Sequence, residues 1–187
     1  MFITYGFRGV PVFDVEQTEG DEVPEEEVHR FLESLPLRSV ADKWELSLSA
    51  YKGHEEDAYG RFWRARSING ERMGISLGVE NVSVWLHELV HAADYRTGAL
   101  KKDHENDVPK WQREIVAELG SCVLAHMIGF GVEADDGGCW EYVQSWAATA
   151  DIEPVTACFR MLDRTTAAVE LIVREAQSGE SIGVIAD

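Results

Sequence analysis

The chain has 187 residues, of which 17 are basic and 34 acidic, and its formal net charge is -17 at pH 7. With 45% hydrophobic residues it can bury one core, so we expect a single domain over residues 1–187. The acidic balance disfavours direct nucleic-acid binding, because such a chain repels phosphate backbones.

Neither a membrane segment nor an export signal is predicted. No apolar run is long enough to span a bilayer, and the first residues lack the basic start and apolar run of a signal peptide. We therefore expect a cytoplasmic protein with no membrane partner. Cys122, Cys139 and Cys158 are scattered and form no C-x-x-C pair, so we expect them to be reduced.

The first half of the chain predicts a helix and several strands. Hydrophobic alternation predicts strands over residues 2–7, 10–15, 45–51, 60–67 and 72–77. A capped helix is predicted from Pro24 to about Leu35, and Asn69-Gly70 predicts a hairpin turn between the last two strands. The strand over 72–77 is a candidate edge for pairing with an extended substrate, with an ordinary inner strand as the alternative.

The segment His87-Glu88-Leu89-Val90-His91 follows this hairpin. Two histidines four apart on a helix present both imidazoles on one face, where they can bind one Zn²⁺. The intervening glutamate can then take a proton from metal-bound water and deliver it to a leaving amine. Asn81 or Ser83 can cap this helix and Gly98 can end it, while its apolar neighbours indicate a partly buried helix.

A third ligand is expected from a second long helix. Asp107 and Pro109 predict its start, and apolar positions at helical spacing continue it to about Gly129. Glu114 and Glu118 lie one turn apart beside this apolar stripe. We expect Glu114 to complete the zinc ligands and Glu118 to orient a ligand histidine, with the reverse assignment open.

Asp94 is a further candidate on the first helix. It follows His87 by seven residues and therefore projects from nearly the same face, as an alternative ligand or a residue behind the ligands. The metzincin pattern requires glycine at position 94 and histidine at position 97, where this chain has Asp94 and Thr97. The metzincin pattern is therefore not met, which disfavours that family.

Two more helices are predicted, over 140–150 and from Pro154 to about Gln177. The expected fold class is thus α+β, with a small antiparallel or mixed sheet packed on the histidine-bearing helix and on further C-terminal helices. An oxyanion-stabilising donor is also expected. The spacing does not choose among four candidates: Tyr95, His104, His126 and Tyr142.

Three segments together resemble one known family. These are His87–His91, Arg113–Ser121 and Trp140–Trp146, and residues 12–20 are similar to the segment that opens the same domain. They resemble the zincin-like metallopeptidase domain of ArdC-type antirestriction proteins and of phage and plasmid polyvalent proteins. The resemblance extends over residues 1 to about 177.

The resemblance implies a zinc-dependent peptidase fold of mobile elements, associated with protecting incoming DNA from restriction. Its implied site positions are His87, Glu88, His91 and Glu114, with Glu118 less closely specified. ArdC-type proteins usually have a single-stranded-DNA-binding domain before this one, and here the chain begins almost at the peptidase segment. We therefore do not expect DNA binding.

Two readings of the chemistry remain open. In the first, the protein is a zinc metallopeptidase that acts on a protein or peptide substrate, general or restricted to one partner. In the second, zinc has only a structural role and the acidic surface binds a restriction or regulatory protein. The acidic runs at 25–27, 55–57 and 133–136 fit solvated segments, or a surface that mimics DNA.

Overall fold

The computed structural model describes residues 25–50, 59–68, 70–99, 108–131 and 136–180. These residues form six helices and three strands, so the predicted α+β class is confirmed. In chain order the elements are α1 (Glu25–Ser34), α2 (Arg38–Lys43), β1 (Ser47–Ala50), β2 (Gly60–Ser67), β3 (Gly70–Leu77), α3 (Val82–Arg96), α4 (Lys110–Met127), α5 (Asp136–Thr149) and α6 (Pro154–Glu180).

Most elements match the sequence predictions to within a few residues, and α5 begins four residues earlier than expected. The predicted strands over 2–7 and 10–15 lie outside the described residues. The six-residue helix α2 was not predicted. It follows Leu37, which has a left-handed backbone conformation (φ 59°) that no sequence signal predicts. Burial of Val40 and Ala41 stabilises the helix.

The three strands form a small mixed sheet in the order β1-β3-β2. Strand β3 pairs in parallel with β1 and antiparallel with β2, and the β2–β3 register runs from Gly60 opposite Leu77 to Ser67 opposite Gly70. The predicted hairpin between β2 and β3 is confirmed, with Gly70 already paired with Ser67, and the predicted turn residue Asn69 lies outside the described residues. The suggestion that the strand over 72–77 is an edge was wrong, because β1 and β2 pair with it on both sides. Among the described strands, β2 lies at one edge of the sheet and contacts α3.

Helix α3 lies at the centre of the fold. The Asn81 side chain caps it by accepting hydrogen bonds from Ser83 N (2.7 Å) and Val84 N (3.2 Å), which satisfies donors at the helix start. The helix ends at Arg96, before Gly98 with its left-handed φ of 81°. It packs against the sheet on one side and against α4 and α6 on the other.

Burial follows this central position. Six apolar residues of α3 are at most 1% exposed: Trp85, Leu86, Leu89, Val90, Ala92 and Ala93. Removing such side chains from water is the main favourable contribution to folding, about 1.5–3 kcal/mol for each large apolar one. The core continues into the sheet through Ile75 and into the C-terminal helices through Leu124 and Ile172.

Helices α3 and α4 pack closely together at Gly120. A Cβ at this position would lie 2.8 Å from Cγ1 of Val90, a fully buried residue that stands between His87 and His91 in the sequence. Valine has a stiff side chain and cannot move aside cheaply. Glycine at this point therefore sets the distance between the two helices.

A buried ion pair joins α3 to α6. Asp94 is fully buried, and its two carboxylate oxygens accept hydrogen bonds from Nε (2.6 Å) and Nη2 of Arg164, in a bidentate arrangement.

Within the described ranges, no helix combines the length and apolar content that crossing a membrane requires.

We predict that Arg164→Met lowers the free energy of unfolding by about 3 kcal/mol or more, because it leaves the buried Asp94 carboxylate without its counter-charge. Adding Asp94→Asn to this variant should restore much of the loss, since the pair is then replaced as a unit. Urea denaturation measures both values. The control Arg160→Met, exposed on the same helix, should change stability by less than about 0.5 kcal/mol, and an equal loss there would contradict the prediction.

Candidate metal centre

The two histidines of α3 face α4 at the place where the helices pack together. The distance between His87 Nε2 and His91 Nε2 is 3.1 Å, and the side chains are 18% and 16% exposed. Their four-residue separation makes this pairing a local property of the helix. The small remaining exposure leaves both rings accessible to a small ligand.

Helix α4 brings a carboxylate to the same point. Glu114 Oε2 lies 3.5 Å from His87 Nε2 and 3.6 Å from His91 Nε2. Among the described residues, His87, His91 and Glu114 form the one group whose ligand atoms lie close enough together to hold a metal ion.

The separations of these three atoms fit a tetrahedral ion. Ligands at zinc distances of roughly 2.0–2.1 Å in tetrahedral geometry lie about 3.4 Å from one another. The observed separations of 3.1, 3.5 and 3.6 Å bracket this value. Two imidazole nitrogens and one carboxylate oxygen are also a donor set that zinc accepts. The residues therefore fit the metal on both geometry and chemistry.

Glu118 lies on the other side of the His87 ring. Its Oε1 atom is 3.3 Å from His87 Nδ1, whereas the Nε2 atom faces Glu114. A carboxylate at Nδ1 favours the tautomer that carries its proton there, which leaves Nε2 with the lone pair a metal needs. The structure thus gives the two glutamates of α4 different positions, with Glu114 beside both Nε2 atoms and Glu118 behind one ring.

Glu88 points to the sheet rather than to α4. The residue is 6% exposed, and Oε2 accepts a 2.5 Å hydrogen bond from the backbone N–H of Phe62 in β2. In an antiparallel pair, a residue that turns its N–H away from its partner strand turns its C=O away too. The Phe62 backbone therefore faces the outer edge of β2, and this edge holds the glutamate.

Gly60 makes that approach possible. A Cβ at position 60 would lie 2.6 Å from Val84 Cγ1 and 3.0 Å from both Cγ and Oε1 of Glu88. A larger residue would displace the glutamate or the strand. Sequence reasoning missed Gly60 and Phe62; the available signal was a glycine opening a strand, which often marks a close approach.

The charges of the site favour a cation. Burial lowers the pKa of His87, but its hydrogen bond to Glu114 and the charges of Glu118 and Glu88 outweigh burial and raise the pKa above its ordinary value. Burial raises the pKa of Glu114, yet the hydrogen bonds to both histidines lower it further, and the net pKa is lowered. For Glu118, burial and the nearby Glu114 raise the pKa despite the attraction of His87. The two carboxylates of α4 thus lie beside the imidazoles, and the charge of Glu88 also acts on His87.

The other candidates lie elsewhere. Asp94 is not in the metal-competent group, since both of its oxygens bind Arg164. Tyr95 donates to both Glu71 oxygens at 3.1 and 3.0 Å. His126 and Tyr142 are exposed on α4 and α5, and His104 lies outside the described residues. The structure therefore does not single out an oxyanion-stabilising donor.

Comparison with family models, with curated proteins and with solved structures finds no match to this chain. The class that the fold defines is accordingly an α+β protein with a small mixed sheet.

We predict that the purified protein binds one Zn²⁺ per chain, and that His91→Ala and Glu114→Ala each abolish this binding because they remove a ligand. Glu118→Gln should keep the stoichiometry and weaken affinity about 10- to 100-fold, as loss of a residue that orients a ligand does. Native mass spectrometry gives the stoichiometry, and competition with a chromophoric chelator gives the affinity. Retention of zinc by Glu114→Ala together with its loss from Glu118→Gln would reverse the two roles.

Proposed function

We propose that the protein is a zinc-dependent metallopeptidase with His87, His91 and Glu114 as metal ligands and Glu88 as the general base. The observation that supports it best is the tetrahedral spacing of the three ligand atoms on α3 and α4. Zinc with three protein ligands is typical of catalytic rather than structural sites. Bound Zn²⁺ would act as a Lewis acid toward a peptide carbonyl and would acidify water.

The residues around the metal have separate tasks in this proposal. Glu88 takes a proton from the attacking water and delivers it to the leaving amine, and the Phe62 N–H holds the carboxylate in place for both transfers. Glu118 keeps the His87 ring oriented through Nδ1. Because Glu88 is nearly buried, little reorganisation of solvent around its carboxylate accompanies the proton transfer.

The biological setting is a further part of the proposal and comes from the resemblance described above. A zincin-like domain of the ArdC type would place the activity in antirestriction by a phage or plasmid. A binding module with a structural zinc is the second candidate, and the net charge of -17 favours it as a surface for a basic partner protein.

We predict that Glu88→Gln retains one zinc and loses about 10²- to 10⁴-fold in peptide cleavage, because the amide cannot accept the water proton. Zinc-loaded wild type and variant are each incubated with a library of proteome-derived peptides and with a native cell lysate, and new termini are identified by mass spectrometry. If zinc-loaded wild type generates no new termini in either sample, the binding module is the better account.

Gly60→Ala tests the contact between β2 and the general base. We predict that it lowers cleavage about tenfold or more while zinc affinity stays unchanged, because the added methyl displaces Glu88 and touches no metal ligand. The matched control is Ala65→Gly, which changes a methyl at an exposed position of the same strand. An unchanged cleavage rate in Gly60→Ala would show that the position of Glu88 is not set by this contact.

A further inference from the structure

Two of the three cysteines come together where α5 packs on α4. The Cys139 thiol, in the first turn of α5, donates a hydrogen bond to the backbone carbonyl oxygen of Glu118, and the sulfur lies 3.6 Å from that oxygen. Cys122 follows Glu118 by four residues on α4, so its backbone N–H donates to the same oxygen within the helix. One carbonyl group of α4 is thus shared by both cysteines.

This arrangement allows a bond between the two sulfur atoms. A helical backbone nitrogen lies roughly 3 Å from the oxygen that accepts its hydrogen bond, so the Cys139 sulfur is within roughly 7 Å of the Cys122 backbone nitrogen. Helical side chains lean toward the preceding turn, which for Cys122 is the turn of Glu118. Both thiols therefore converge on one point, and the packing of α5 on α4 allows the Cα separation of roughly 4.4–6.8 Å that disulfides require.

The surroundings of the cysteines favour a disulfide over other roles. Cys122 and Cys139 are half-buried, which leaves them accessible to a small oxidant. Among the described residues, no cysteine belongs to a group of three side chains placed to hold a metal ion, which disfavours a second zinc site. Cys158, on α6, differs from the pair because burial raises the pKa of its thiol, which makes it less reactive.

We propose that Cys122 and Cys139 form a modification site, at which a peroxide converts the two thiols into a reversible disulfide between α4 and α5. The thiolate of one cysteine attacks hydrogen peroxide, which gives a sulfenic acid and releases one water. The thiolate of the other attacks the sulfenic sulfur and displaces a second water as the S–S bond forms. The two thiols lose two electrons, and one peroxide is reduced to two waters.

The bond would fix α5 on the turn of α4 that carries Glu118. It would close the chain between residues 122 and 139, a loop of about 18 residues, and such a cross-link stabilises a fold by restricting the unfolded chain. Neither a metal nor peptide cleavage takes part in this chemistry. The inference therefore goes beyond the proposed function, and failure of one leaves the other standing.

Peptide mapping after oxidation tests the proposal. The full-length protein is reduced, freed of reductant and treated at low concentration with a slight excess of hydrogen peroxide, without added zinc, and remaining thiols are alkylated after denaturation. Digestion after glutamate places the three cysteines on separate peptides, 119–133, 134–141 and 142–170. We expect mass spectrometry to find the first two peptides joined and the third alkylated. The melting temperature should rise by about 5–10 °C on oxidation and return with dithiothreitol.

Cys158→Ser is the matched control and should give the same disulfide and the same rise in melting temperature. Cys139→Ser should abolish both, and Cys122→Ala serves the same purpose if the first variant does not fold. A disulfide that includes Cys158 or joins two chains would overturn the proposal. Oxidation of Cys122 and Cys139 to sulfinic acids without a disulfide, or an unchanged melting temperature in the linked protein, would also overturn it.

Discussion

The fold depends on helix α3, which packs against other elements on two of its faces. This helix has a buried face toward the sheet and another toward α4 and α6, and most of its apolar residues have no contact with water. Its position relative to α4 is fixed where Val90 meets Gly120, and relative to α6 by the pair of Asp94 with Arg164. Because packed interiors deform little, these contacts also fix where the two histidines point.

The candidate metal centre follows from this packing. Val90 lies between His87 and His91 in sequence, so its contact with Gly120 brings the histidine-bearing face of α3 close to α4. Glu114 then reaches both imidazoles, while Glu118, one turn along, reaches the back of one ring. The sheet supplies the opposite wall through the Phe62 backbone, which holds Glu88. The sheet, α3 and α4 thus each contribute one part of the site.

The charges around the candidate metal centre suit a cation. Glu114 lies beside the Nε2 atoms of both histidines and Glu118 lies beside Nδ1 of His87, so carboxylates are in excess around the two imidazoles.

Sequence alone determined what is local in the chain: the class of fold, most helices and strands, the β2–β3 hairpin and the pairing of His87 with His91. These features follow from residues a few positions apart, whose geometry the backbone repeat fixes. Tertiary structure decided the rest. The strand order, the short helix α2, the different positions of Glu114 and Glu118, and the Glu88 contact with β2 depend on elements far apart in sequence. Asp94 shows the reason: spacing put it on the face of His87, but a buried charge requires a counter-charge, and its partner Arg164 is 70 residues away.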